Sequence, residues 1–263
     1  MNMLVHDIQT TALNASQAKP IKQAKFIAQF AQNKDAIKAA QKLRAYAFGE
    51  EYSVHFDHPQ GLDVDVYDEH CLHLNVYDTT RGYLIATTRL LTAENSQLTQ
   101  GFYSEQEFDL SRLLPNLTGR VLEIGRTCVH PDYRSGAAIT VLWTALAEYL
   151  LAENFAYLIG CASISLDETV SFKSIMQRFE EEHFVDKSLR VLPKKTVPVN
   201  RFDKITSDEK VQLPPLLKAY LRMNAKLGGE AYYDEVFSCA DIFVVLDVAT
   251  LTERYAQRFL KTA

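Results

Sequence analysis

The chain has 263 residues, 47% of them hydrophobic, and a formal net charge of −5 at pH 7. That is enough apolar material for one large domain or two small ones, and the acidic balance argues against a nucleic-acid-binding protein, which normally carries a basic excess. The four cysteines (Cys71, Cys128, Cys161, Cys239) are widely spaced, with no C-x-x-C pair and no histidine at metal-site spacing, so they read as reduced, buried thiols of a cytoplasmic protein without a metal.

No stretch approaches the ~18 consecutive apolar residues of a membrane span, and Met1 to Pro20 lacks the basic and apolar regions of a signal peptide. A soluble or peripheral protein is expected. The polar, aperiodic opening predicts a disordered or loosely packed segment over 1–20, followed by a single domain over 21–263 that ends in a C-terminal extension, 187–263. Ala24 to Phe30 alternates enough for a first strand. Lys34 to Phe48 carries a helical period through Ile37, Leu43 and Phe48, with Gly49 as its C-terminal cap. Gly61 to His70 then concentrates Asp63, Asp65, Asp68 and Glu69 ahead of a strand, Cys71 to Tyr77. Such a loop is a solvated acidic turn, a carboxylate site for a divalent cation, or a site for a cationic small substrate; the spacing does not fit an EF-hand, and the cationic substrate suits it better. Tyr83 to Leu91 is a second strand, with Arg89 inside it. Asn95 to Tyr103 reads as a loop, and Phe108 to Leu114 leads into the central strand.

Val121 to Asn154 organises the rest. Val121, Leu122, Ile124, Cys128 and Val129 form an apolar strand interrupted by Glu123 and Arg126, and His130-Pro131-Asp132 ends it with turn chemistry. From Gly136 the period becomes helical, through Ile139, Leu142, Leu146, Tyr149 and Leu150. A strand feeding a helix start in this way forms an anion cradle, because the free amides of the first turn and the helix dipole converge there, and Arg134 adds a positive charge. Glu123 and Arg126 are costly to bury unless they pair with each other or serve a site. Tyr157 to Ser165 is a further strand, and divergence of two strands at Gly160-Cys161 would open a slot for an extended thioester arm. Asp167 to Glu182 reads as a helix. Asp186 to Lys218 is the most basic region and is either a solvated linker or a face that steers an acidic partner. Leu213 to Leu246 reads as a helix capped near Gly228-Gly229, a loop with Asp234 and Phe237, and a closing strand, Ile242 to Leu246. Thr250 to Leu260 reads as an amphipathic helix that packs on the domain or lies on a membrane.

The run L-E-I-G-R-T-C-V-H-P-D-Y-R (Leu122 to Arg134), V-L-W in the following helix, and Y-L-I-G-C-A-S-I (Tyr157 to Ile164) resemble the GCN5-related N-acyltransferase superfamily. More narrowly they resemble the ornithine-lipid-forming, hemolysin-like N-acyltransferases, related to the acyl-homoserine-lactone synthases through a shared Glu-x-x-Arg strand. The likeness runs from about Ala24 to Leu246 and includes the block after Leu213. One departure is that Gly136 follows Arg134 by two residues, a shorter phosphate loop than the superfamily's Arg-x-x-Gly-x-Gly.

The resemblance implies an α/β (α+β) fold with a central mixed, mostly antiparallel sheet flanked by helices. It implies an enzyme that moves a (3-hydroxy)fatty acyl group from acyl carrier protein, as a phosphopantetheine thioester, to the α-amine of ornithine. The product would be a lyso-ornithine lipid, formed in the cytoplasm or at the inner face of the membrane, with no bound cofactor. By the same resemblance Glu123 and Arg126 are catalytic, Arg44, Phe48, Asp63, Asp65, Asp68 and Arg89 bind substrate, and Val129, Arg134, Gly136, Ala137, Cys161 and Ser163 bind the acyl donor. The alternatives are an acyl-homoserine-lactone synthase using S-adenosylmethionine, an N-acyl amino acid synthase for another amino acid, or an idle acyl-chain or carrier-protein binding module.

Amide formation from a thioester needs an unprotonated amine, a stabilised oxyanion and an exit for the thiol. An α-amine titrates near ~8 and a lysine-type ammonium near ~10.4, so a base working at neutral pH takes the α-amine proton and leaves the side chain charged. Glu123, half-buried in its strand, would be that base, the Asp65/Asp68 loop would hold the remaining cation, and Arg126, Arg44 or Arg89 would fork the carboxylate. Cys128 has no evident histidine partner and reads as core packing.

Overall fold

In a computed structural model that describes residues 21–23, 25–166, 172–198 and 213–251, the elements run β1 (Ile21–Gln23), β2 (Phe26–Phe30), α1 (Lys34–Tyr52), β3 (Leu72–Asp78), β4 (Tyr83–Thr92), α2 (Ala93–Ser96), β5 (Phe108–Asp109) and β6 (Arg120–Val129). They continue as α3 (Ala137–Ala152), β7 (Phe155–Ser165), α4 (Phe172–Met176), β8 (Leu192–Pro193), α5 (Pro215–Arg222), β9 (Lys226–Leu227), β10 (Tyr232–Asp234) and β11 (Cys239–Asp247). The described residues of Met1–Phe102 and Leu122–Asn154 form one compact unit, and those of Tyr103–Val121 and Phe155–Ala263 form another.

In the first unit β1, β2, β3, β4 and β6 pair in that order, each antiparallel to its neighbour. Because side chains alternate across a strand, the two faces differ in chemistry. His73, Asn75, Thr87 and Arg89 share one face, where Thr87 donates to Asn75 at 2.7 Å and the Asn75 amide reaches the Ala36 carbonyl of α1 at 3.2 Å. Phe30, Leu74 and Val76 share the other, where the Phe30 ring meets Tyr149 of α3 at 4.9 Å. α3 is uncharged through its first ten residues and packs against β1 to β4. α1 begins at Asn33, whose side chain accepts from the Ala36 amide at 2.9 Å.

That helix overruns the glycine expected to cap it. α1 continues to Tyr52 and turns out at Ser53, which is left-handed at φ 55°. Gly49 serves a different need: a Cβ there would lie 3.3 Å from the Val54 carbonyl, so it admits the chain that folds back past the helix end.

β6 carries a bulge. Thr87 faces Cys128 and Arg89 faces Gly125, so Arg126 and Thr127 together oppose the single residue Thr88. Arg126 takes φ 51°, a left-handed conformation rare for a long side chain, and Thr88 bridges the distortion by contacts to the Gly125 carbonyl (3.2 Å) and the Thr127 hydroxyl (2.7 Å).

In the second unit β7 pairs antiparallel with β11 from Tyr157↔Asp247 to Ser165↔Cys239, and β9 and β10 also pair with β11. Gly228-Gly229 do not cap a helix. α5 stops at Arg222, and Asn224 takes the left-handed turn (φ 72°); Gly228 instead donates to the Phe243 carbonyl at 2.7 Å, where a Cβ would strike Phe243 and Val191 at 2.8 Å. The helix expected over Asp167 to Glu182 is shorter than read. Among the described residues it is α4, followed by a separate 3-10 turn at Glu181–His183 that a reciprocal Glu180 and His183 cap starts. The expected opening segment 1–20 and nearly all of the helix read over Thr250 to Leu260 lie outside the described residues.

Candidate active site

Six charged side chains of the first unit meet beside the bulge. Arg44 comes from α1, Asp63, Asp65 and Asp68 from the segment before β3, Arg89 from β4, and Arg126 from the bulge in β6. Asp68 is the hub. Its carboxylate accepts from Arg44 Nη2 (2.9 Å), Arg89 Nη1 (3.1 Å), Gln41 Nε2 (3.1 Å) and the Asp65 amide (3.2 Å). Arg44 also donates to Asp63 Oδ2 at 2.8 Å and to the Asp63 carbonyl at 2.6 Å, and Arg89 to Asp65 Oδ1 at 2.5 Å. Arg126 completes the set, with Nε 3.3 Å from Asp63 and Nη2 3.9 Å from Asp65. Arg126 thus lies against two aspartates of the acidic segment.

The acidic loop is therefore neither solvated nor empty of cations. The side chains of Arg44, Asp63, Asp68 and Arg89 are at most 5% exposed, whereas Asp65 (23%) and Arg126 (17%) reach the edge of the cluster. Burial pushes the Asp68 carboxyl up, and the charge and hydrogen bond of Arg44, with Arg89 and His73 behind it, outweigh burial and hold it at about 2. Burial lowers His73 below its ordinary 6.5 despite its contact with the Asp68 carbonyl at 3.0 Å.

Glu123 is more deeply placed than the half-buried position its strand suggested, at 3% exposed, with Leu91 of β4 directly opposite it. Its charge helps keep the neighbouring Cys71 thiol protonated, after burial, which raises that thiol to about 12. Burial does the same to Cys128, which packs with Leu43, Ala47, Phe48 and Leu84 as core. Phe48 likewise belongs to that packing.

The turn after β6 holds the first of the residues expected to bind the acyl donor. Gly136 is left-handed (φ 100°) and brings no side chain to cap α3, so the first-turn amides that begin at Ala137 face outward. Arg134 Nε contacts the Val129 carbonyl at 3.4 Å, and Arg134 Nη1 pairs with Glu51 of α1 at 2.5 Å. Cys161 and Ser163 belong to the second unit, where Ser163 donates to Asp241 of β11 at 2.5 Å and the Cys239 thiol lies 3.7 Å from the same oxygen. In the described part of the basic region, Arg190 pairs with Glu181 and covers the Phe184 ring, and Lys195 pairs with Glu235.

Residues 43–144, which hold this cluster and the turn, match the model of the acetyltransferase (GNAT) domain. A curated relative from Brucella abortus, an L-ornithine N(alpha)-acyltransferase, is 33% identical over 86% of this chain and 85% of its own length. The chain belongs to the L-ornithine N(alpha)-acyltransferase family. A relative of the same name from Rhodobacter capsulatus is 31% identical over 88% of this chain and 93% of its own. Members of this family are acyltransferases, and so is this chain. A solved N-acyl amino acid synthase from uncultured soil microbes superposes with TM-score 0.53 at 11% identity over 88% of this chain and 93% of that one, a likeness of fold.

Sequence reasoning missed Gln41, His73 and Glu51, whose types are unremarkable at their positions. The one available signal was acidic residues in the last turn of a helix, where the dipole disfavours them.

Removing one partner from a buried charge cluster strands the others, so Asp68→Asn is expected to cost about 3–5 kcal/mol in urea unfolding. The wild type should lose stability as pH falls from about 4 toward 2, because the folded carboxyl titrates at about 2 and its unfolded counterpart near ~3.9. The variant should lack that part of the slope. His73, depressed when folded, adds stability above about pH 6.5 that declines in acid, and His73→Gln should flatten the profile just below that pH.

Proposed function

We propose that this acyltransferase moves a (3-hydroxy)fatty acyl group from acyl carrier protein to the α-amine of ornithine, giving a lyso-ornithine lipid. The carrying observation is the family relationship together with the buried charge cluster, whose Arg89 shares a sheet face with an acidic strand residue, Glu123. Glu123 accepts the α-ammonium proton. The free amine attacks the thioester carbonyl, the tetrahedral oxyanion collapses, the C–S bond breaks, and the thiolate takes up a proton as an amide forms.

Acceptor recognition falls to the members of the cluster that reach its edge. Arg126 forks the carboxylate and Asp65 takes the side-chain ammonium, while Asp63, Asp68, Arg44 and Arg89 hold these two in place. The donor's phosphate is read by Arg134 and the first amides of α3. No helix among the described residues is long and apolar enough to cross a membrane, and an amphiphilic product suits a cytoplasmic enzyme that works at the membrane's inner face.

Mass spectrometry of the product from 3-hydroxypalmitoyl carrier protein and an equimolar amino-acid mixture tests this reading. N-acyl-ornithine is expected, falling about 10²–10⁴-fold in rate with Glu123→Gln. Another amino acid in the product, or a lactone formed only with S-adenosylmethionine, would overturn it. Asp65→Asn is expected to raise KM for ornithine while leaving KM for a short-chain neutral amino acid unmoved, as measured by steady-state kinetics.

A further inference from the structure

The donor turn contains an ion pair that the transfer reaction does not call for. Glu51 reaches Arg134 from the last turn of α1, 83 residues away in sequence, and both side chains are nearly half exposed, at 43% and 45%. Two local rules are broken to bring it there. α1 runs through Gly49, which costs a helix interior about 1 kcal/mol relative to alanine, and its last turn holds Glu50 and Glu51 with no basic residue, against the helix dipole. Gly49 has a reason in the fold, the close approach of Val54, but the two glutamates against the dipole have none there, and such a break points to a site.

We infer that Glu51 is a specificity-determining residue of the donor site: it half-neutralises Arg134 and so favours a thioester carrying one phosphodiester over one carrying several phosphate groups. The inference rests on the reading that Arg134 and the start of α3 bind donor phosphate. The short step from Arg134 to Gly136 and the left-handed Gly136 leave room for few amides around an anion. A fixed carboxylate 2.5 Å from the arginine then repels each further phosphate charge that approaches. At about 5 Å in water one unit charge against another changes an equilibrium about fourfold. A single phosphodiester on a phosphopantetheine arm meets that penalty once, and a coenzyme A thioester, with its diphosphate, meets it at least twice.

The test compares kcat/KM for an acyl carrier protein thioester and for the coenzyme A thioester of the same acyl chain, in wild type, Glu51→Gln, Arg134→Gln and the double variant. Glu51→Gln is expected to reduce the preference for the carrier protein about fourfold, through KM rather than kcat. The change should shrink at 0.5 M salt, where exposed charges are screened, and vanish in the Arg134→Gln background. An unchanged preference in Glu51→Gln, while Arg134→Gln raises both KM values, would overturn the inference and leave the donor site standing. Unchanged KM values for both donors in Arg134→Gln would overturn the donor site and the inference together. Melting temperatures of all variants confirm that each is folded.

Discussion

Three arginines and three aspartates packed side by side, four of the six fully buried, dominate what the first unit must achieve. A guanidinium or carboxylate removed from water costs several kcal/mol unless its partners are already fixed, so Arg44, Arg89 and Asp68 are tolerable only as a set. The set is drawn from four separate parts of the chain. α1 must pack on β4, the acidic segment must cross the sheet face, and β6 must bulge, all before any single charge is satisfied. The polar face formed by His73, Asn75 and Thr87 continues this chemistry along the sheet, while Leu74 and Val76 turn to α3 and supply the apolar burial that offsets it.

The bulge connects packing to chemistry. A regular β6 would send Arg126 to the opposite face from Glu123 and Gly125; one extra residue and a left-handed φ of 51° turn its side chain to Asp63 and Asp65 instead. Strain of this kind costs of order 1–3 kcal/mol and persists where surrounding contacts over-determine it, here the Thr88 bridge. A few residues later the same strand delivers the turn that opens α3 without a side-chain cap. One strand therefore carries Glu123 and Arg126 and leads into the turn before α3.

Much of this was legible in the sequence. The strand from Arg120 to Val129 and the helix after Gly136 stood out because the apolar period changes at His130-Pro131, and the family motif lay on that boundary. The acidic segment was visible as composition. Its burial was not, because charge density in a loop says nothing about arginines that arrive from residues 44, 89 and 126. Glycine misled twice for one reason: Gly49 and Gly228 look like helix stops by type, yet each sits where another part of the chain comes close, Val54 just past the helix end for Gly49 and the remote Phe243 and Val191 for Gly228. A one-residue bulge leaves no sequence mark when the residue at positive φ is arginine rather than glycine.

The central claim is that the cluster is one interdependent unit with Asp68 at its hub. A double-mutant cycle on Arg44→Met and Asp68→Leu, read as unfolding free energy at pH 7, tests it most directly. Each single change strands a buried charge, and the pair removes both, so the double variant should be more stable than the sum of the singles by about 2 kcal/mol or more. Additivity within a few tenths of a kcal/mol would show that Arg44 and Asp68 act independently, and the account of the site as a locked charge cluster would fail.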